Sequence, residues 1–194
     1  IMNNLNKILP LCVLAAAASS AIQASDFSYD YVGLAYVSAE VDDVNIDGNG
    51  LALEGSFSLA DNYHLVAHYT DIGFDYDIDG KTFDFGLGYN RAISDTVDVV
   101  ASISYVSVEL SEPTFGSVDN NGYGLYLGLR GMVADKVELF GGLNYVDLSD
   151  SGNDTTYSLG AGFDVTDQIQ IGAGLTNNSD GNTYNIGVRF YFGK

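Results

Sequence analysis

From Gly50 onward the chain alternates. Leu51, Leu53, Gly55, Phe57 and Leu59 share one parity, and Ala52, Glu54, Ser56 and Ser58 share the other. A two-residue period belongs to a β-strand with one apolar and one polar face. The pattern recurs at 63–70, 83–90, 97–105, 123–130, 137–148, 155–165, 169–176 and 183–192, and 27–41 also reads as strand. This predicts an all-β chain of ten strands, with eight as the alternative count.

The connections between these segments are of two kinds that take turns. Short ones centre on an aspartate, at Ala60-Asp61-Asn62, Ser94-Asp95-Thr96, Ala134-Asp135-Lys136 and Thr166-Asp167-Gln168. Long ones, at 42–49, 73–80, 111–121, 149–154 and 177–182, are rich in Asp, Asn, Ser and Gly. One hairpin per interval implies an up-and-down antiparallel sheet. Both prolines fall outside strands, Pro10 near the start and Pro113 in a long loop, as a hydrogen-bonded sheet requires.

Such a sheet can close as a soluble barrel with an apolar interior or as a membrane barrel with an apolar exterior. The aromatic residues choose between them. On the apolar faces, Tyr69, Phe83, Tyr105, Tyr123, Tyr145, Tyr157 and Tyr184 fall at the long-loop ends, and Tyr63, Tyr89, Phe163, Phe190 and Phe192 fall at the short-turn ends. Two aromatic girdles around an aliphatic band match the two interfaces of a bilayer. The opposite faces carry Gly86, Gly88, Gly124, Gly128, Gly160, Gly162, Gly172 and Gly174, natural where interior space is short. The expectation is therefore a closed transmembrane β-barrel with short turns in the periplasm and long loops outside the cell. An even strand count puts both termini in the periplasm.

Residues 1–24 read as a secretory signal peptide, with Lys7, an apolar run from Ile8 to Ala18 and small residues up to Ala24; 25–194 would form the barrel. Cleavage after Ala21 is the alternative. Cys12, the one cysteine, lies in that run, so disulfides and thiolate chemistry are not expected in the mature chain. A net charge of −19 makes nucleic acid a poor partner. No apolar run beyond the leader approaches the ~18 residues of a membrane helix.

The segment Asp43-Val-Asn-Ile-Asp-Gly-Asn-Gly-Leu-Ala-Leu-Glu54 fits an EF-hand loop at every specified position. The motif needs flanking helices, whereas Glu54 falls in mid-strand. A second string, Asp75-x-Asp77-x-Asp79-Gly80, has Gly86 where the closing Glu should be. The oxygens of Asp43, Asn45, Asp47, Asp75, Asp77 and Asp79 could hold Ca²⁺ or Mg²⁺ weakly without EF-hand architecture. Solvated acidic loops are the favoured reading, and no cofactor is expected.

Glu54, His68, Arg130 and Arg189 fall on the inward parity and are read as a lumen polar network, with Tyr36 and Tyr126 also filling the interior. An odd loop length preserves facing across the Asp61 turn. A three-residue loop sets Glu54 opposite His68, as its expected partner; a five-residue loop would set it opposite Thr70. His64 and His68 lie low and at mid-height, away from the outer rim, and no Ser/His/acid order is evident. No enzyme is therefore expected.

Taken together, Tyr29-x-Tyr31-Val32, Leu59-Ala60-Asp61-Asn62-Tyr63-His64-Leu65 and Gly86-Leu87-Gly88-Tyr89-Asn90-x-x-Ile93-Ser94-Asp95 resemble the small porin-like outer-membrane barrels of Gram-negative bacteria, in particular a subgroup named for regulation by diffusible signal factor. The last strand, Tyr184-x-Ile186-x-Val188-x-Phe190-x-Phe192, resembles the terminal strand by which such barrels are recognised by the assembly machinery, although Gly193 and Lys194 follow it. The resemblance implies an outer-membrane location, with lipid and lipopolysaccharide as surroundings. The expected function is a structural or surface-interaction barrel. A narrow, weakly cation-preferring channel for small solutes is the alternative, and an outer-membrane enzyme a distant third.

Overall fold

A computed structural model describes residues 27–42, 46–114 and 116–192. The proposed signal peptide lies outside the described residues, as do Asp43 and Asn45 of the first loop. Ten strands run in chain order: β1 (Tyr31–Val41), β2 (Ile46–Ala60), β3 (Tyr63–Phe74), β4 (Ile78–Ser94), β5 (Val97–Glu112), β6 (Gly116–Ala134), β7 (Val137–Leu148), β8 (Gly152–Asp164), β9 (Ile169–Asn177) and β10 (Gly181–Tyr191). Every neighbour is antiparallel, and β1 pairs with β10 from Tyr31↔Tyr191 to Val41↔Gly181, closing the sheet. The chain is a closed ten-stranded up-and-down barrel, with no open sheet edge to satisfy.

The short turns keep their facing by a different device from the expected odd loop. The first three are two-residue turns, Asp61-Asn62, Asp95-Thr96 and Asp135-Lys136, and an even loop would flip the next strand. Each is preceded by a register shift, between Ser58 and Ala60, Ala92 and Ser94, and Met132 and Ala134. The skipped residues Leu59, Ile93 and Val133 are β-bulges that supply the missing count. All three point outward and are exposed. Glu54 accordingly lies opposite His68, the register of a three-residue loop, although Ala60, not Leu59, pairs with Tyr63.

The exterior carries the aliphatic band and both girdles. Leu53, Leu87, Ile103, Leu127, Leu159, Ile171 and Val188 are exposed, as are Tyr63, Tyr69, Phe83, Tyr105, Tyr123, Tyr157, Phe163, Tyr184, Phe190 and Phe192, while Tyr89 and Tyr145 share that outward parity. Tyr36, expected in the lumen, instead points outward and is 51% exposed. It joins the outer girdle, because β1 runs with its odd residues inside. An apolar exterior of this size on a closed barrel is stable only against lipid.

Candidate functional site in the barrel lumen

The interior has two tiers of opposite character. On the side of the short turns the filling is polar and charged. Arg130 Nε donates to Glu138 Oε1 at 2.9 Å, and both side chains are fully buried. Arg189 forks onto Glu54, Nε to Oε1 and Nη2 to Oε2, the latter at 2.9 Å. His68 Nδ1 meets Asp84 Oδ1 at 2.8 Å, and His64 Nδ1 meets Asn90 Oδ1 at 3.2 Å. Tyr29 donates its hydroxyl proton to Asp98 at 3.0 Å.

The expected Glu54–His68 contact is therefore replaced by two others, even though the register sets the pair opposite. Gly33 explains the exchange. It lies between Glu54 on β2 and Arg189 on β10, and the Glu54 carboxylate occupies the place a Cβ at 33 would take. With no side chain in the way, Glu54 reaches across β1 to a bidentate guanidinium, a stronger partner than an imidazole. Asp84, directly opposite His68 on β4, takes the histidine.

Above this tier, toward the long loops, the interior turns apolar. Val37, Val41, Ile46, Ile72, Phe74, Ile78, Val106, Val108, Leu110, Val146 and Leu148 form one buried cluster. The exterior at the same height is polar, with Glu40, Asp47, Asn49, Asp79, Asp119, Asn121 and Asn153 exposed. The barrel is thus inverted above its outer girdle: it continues past the bilayer as a water-exposed collar with a hydrophobic core. Sequence reading missed this collar. The sign of it was a change of parity, visible on β5 where Ile103 and Tyr105 give way to Val106, Val108 and Leu110.

The inward glycines do not leave free space. A Cβ at Gly88 would overlap His64, one at Gly128 Tyr126, one at Gly160 Phe140 and one at Gly48 Phe74. Each glycine makes room for a large side chain, from an adjacent strand at Gly48, Gly88 and Gly160 and from two residues earlier on β6 itself at Gly128. What remains includes a cavity of about 30 Å³, bordered by Glu54, Phe140, Gln170, Asn185 and Arg189, enough for a water or two.

The candidate cation residues are spread over different surfaces. Asp47 points outward on β2 while Glu54, seven residues along the same strand, points inward, a separation of roughly 23 Å. Asp75 and Asp77 lie in a single 3-10 turn, and Asp79 begins β4 on its outer face. The Asp75 carboxylate accepts the Asp47 N–H at 3.3 Å. Among the described residues, no group of three or more His, Cys, Asp and Glu side chains converges as a metal site.

No family model matches the chain, and no curated protein sequence matches it. Solved structures do. An outer-membrane channel from Pseudomonas putida F1 aligns with a TM-score of 0.52 at 13% identity, over 90% of this chain and 97% of that one. This is an outer-membrane β-barrel. The KdgM porin, solved in complex with oligogalacturonate, aligns with a TM-score of 0.48 at 10% identity, over 84% and 99% of the two chains. The N-terminal barrel domain of Pseudomonas aeruginosa OprF gives 0.48 at 11%, over 84% and 98%. At these identities the likeness is one of fold alone.

Proposed function

We propose that this protein is a narrow outer-membrane channel for water and small solutes, weakly preferring cations, and that the structure represents its closed form. The observation that carries this reading is a wall of buried hydroxyls. Thr70 faces Thr82 across β3 and β4, and Thr176 faces Thr183 across β9 and β10, with Thr156 beside them on β8. All five hydroxyls are buried without a hydrogen-bond partner from the protein. An unpaired buried hydroxyl costs about 1–3 kcal/mol, so five of them at the height of the dry collar favour an open form in which water reaches them.

Polarity of the interior supports the ion preference. The carboxyl groups of Glu54, Asp84, Asp98 and Glu138 outnumber the guanidinium groups of Arg130 and Arg189 in the lumen, an acidic excess. A lumen of that sign concentrates cations. The turns around Asp61 and Asp95 support a place among the small porin-like barrels, in the subgroup named for diffusible signal factor. The apolar exterior suits phospholipid and lipopolysaccharide, and β10 with Phe192 suits recognition by the barrel-assembly machinery.

Planar-bilayer recording of purified, heat-modifiable protein is the test. Discrete conductance steps, with a reversal potential of cationic sign in a salt gradient, are the expected result. Absence of any step from protein verified as folded would overturn the channel. A second reading, a structural or surface-interaction barrel, is favoured by the filled collar, where Val37, Ile46, Ile72 and Val108 are at most 1% exposed. That absence would leave it standing.

A further inference from the structure

The four residues before β1 do not continue the strand. Asp30 is tied to both neighbours of β1: its carboxylate accepts the Ser58 N–H at 2.7 Å, and its carbonyl accepts the Phe192 N–H at 3.0 Å. Beyond this anchor the chain turns into the barrel. Tyr29 is 6% exposed and stacks on His64 of β3 with ring centres 4.3 Å apart. Its hydroxyl reaches Asp98 of β5 at 3.0 Å. The Arg130 guanidinium of β6 lies over the Phe27 ring at 4.6 Å and over Tyr29 at 5.3 Å. Val100 and Tyr126 complete the packing.

The strand order gives these contacts their meaning. In the closed ring, β6 is five strands from β1 in either direction. The segment that leaves β1 and the inward Arg130 and Tyr126 side chains of β6 therefore span the width of the lumen between them. It does so at the periplasmic end, since Asp98 and Arg130 flank the Asp95 and Asp135 turns. We infer that Phe27–Tyr29 is a stopper that closes the periplasmic mouth of this barrel, held by the stack on His64, the hydroxyl bond to Asp98 and the Arg130 guanidinium.

The chemistry fits a seal that can be released. Two aromatic rings remove water from the mouth, and their fastening is the Arg130 guanidinium over both rings, the stack on His64 and one hydrogen bond, all of them weak and reversible. Nothing covalent or strand-like holds residues 27–29, and Asp30 provides a fixed hinge. Opening needs only local rearrangement, of the kind that occurs without global unfolding. The Asp98 carboxylate and the Arg130 guanidinium would then face the open mouth.

This inference rests on the channel reading for its consequence, but its geometry can be tested apart from conduction. In a Cys12→Ser background, Ser104→Cys places a thiol on the inner face of β5, deeper than Val100 and beyond the stopper. The rate of labelling by a small, charged, water-soluble maleimide is measured for folded protein with Phe27 and Tyr29 intact, with Tyr29→Phe, and with Phe27→Ala/Tyr29→Ala. Heat-modifiability on gels confirms that each variant is folded. The double variant is expected to label about tenfold faster, as loss of roughly 1.4 kcal/mol of closure predicts. Tyr29→Phe, which keeps the stack and loses the hydroxyl, should fall between.

Equal labelling in all three would overturn the stopper, whether or not the protein conducts. Faster labelling without conductance in any variant would keep the stopper and overturn the channel. Should the double variant fail to fold, Tyr29→Phe alone carries the test, and a labelling rate unchanged from the intact protein counts against the stopper.

Discussion

The inversion above the outer girdle makes a sharp prediction along a single strand. On β5, Ile103 points to lipid and is 54% exposed, Ser107 points outward on the collar, and Val108 is fully buried in the collar core. Lysine placed at each position meets a different medium. At Ile103 it enters the hydrocarbon band below the girdle, costing about 2 kcal/mol with allowance for its distance from the midplane. At Ser107 it meets water, and the change should lie within about 0.5 kcal/mol of zero. At Val108 it forfeits the burial of a valine, about 1.5–3 kcal/mol, and buries a cation without a partner, so the loss should exceed about 4 kcal/mol. Equilibrium urea unfolding in lipid vesicles, followed by tyrosine fluorescence, gives the three values. The order Val108→Lys, Ile103→Lys, Ser107→Lys from worst to mildest is the expected result. A Ser107→Lys cost equal to that of Ile103→Lys would put lipid around the collar. A harmless Val108→Lys would mean an open, wet outer lumen, and either result refutes the two-tier interior.

Gly33→Ala should break the Glu54–Arg189 fork, because its Cβ would occupy the place of the carboxylate; the expected loss is about 3 kcal/mol, partly relieved in Gly33→Ala/Glu54→Ala, by the same unfolding assay. Arg130→Met should cost about 3–5 kcal/mol by leaving Glu138 buried without its cation, while Arg130→Met/Glu138→Leu should recover most of it, and a double variant as unstable as the sum of the singles would contradict the pairing. Glu54→Gln should leave calcium binding, read by isothermal titration, unchanged, since Glu54 faces the lumen while Asp47 faces outward; a micromolar site abolished by this substitution would refute the placement.

Much of the fold was legible because a membrane barrel writes each strand twice, once in parity and once in its aromatic ends. Ile103 and Tyr105 on one face, with Ser102 and Ser104 on the other, are enough to orient β5 in a bilayer. The alternation of aspartate turns with long loops gave the hairpin order. The turn mechanism was only half legible: Leu59, Ile93 and Val133 look like ordinary strand ends, and a bulge is settled by which partner each residue finds across the hairpin. Tyr36 was misplaced because an aromatic at a strand end fits either face until the parity of β1 is fixed by its neighbours.

The sequence alone determined that each strand has two unlike faces, that the strands are joined as consecutive hairpins, and that the exterior ends in aromatic belts, because all three are local or periodic properties of the chain. It did not determine which face is wet at a given height. Val106, Val108 and Leu110 are apolar wherever they sit, and only the closed sheet, with its strands carried past the girdle, turns them inward to a dry core. Nor did it determine who pairs with whom: Glu54 and Arg189 are 135 residues apart, and what joins them is barrel closure at β1 and β10 together with the missing side chain of Gly33. Ionic partners in a lumen are chosen by reach across the ring, a distance that exists only once the ring has closed.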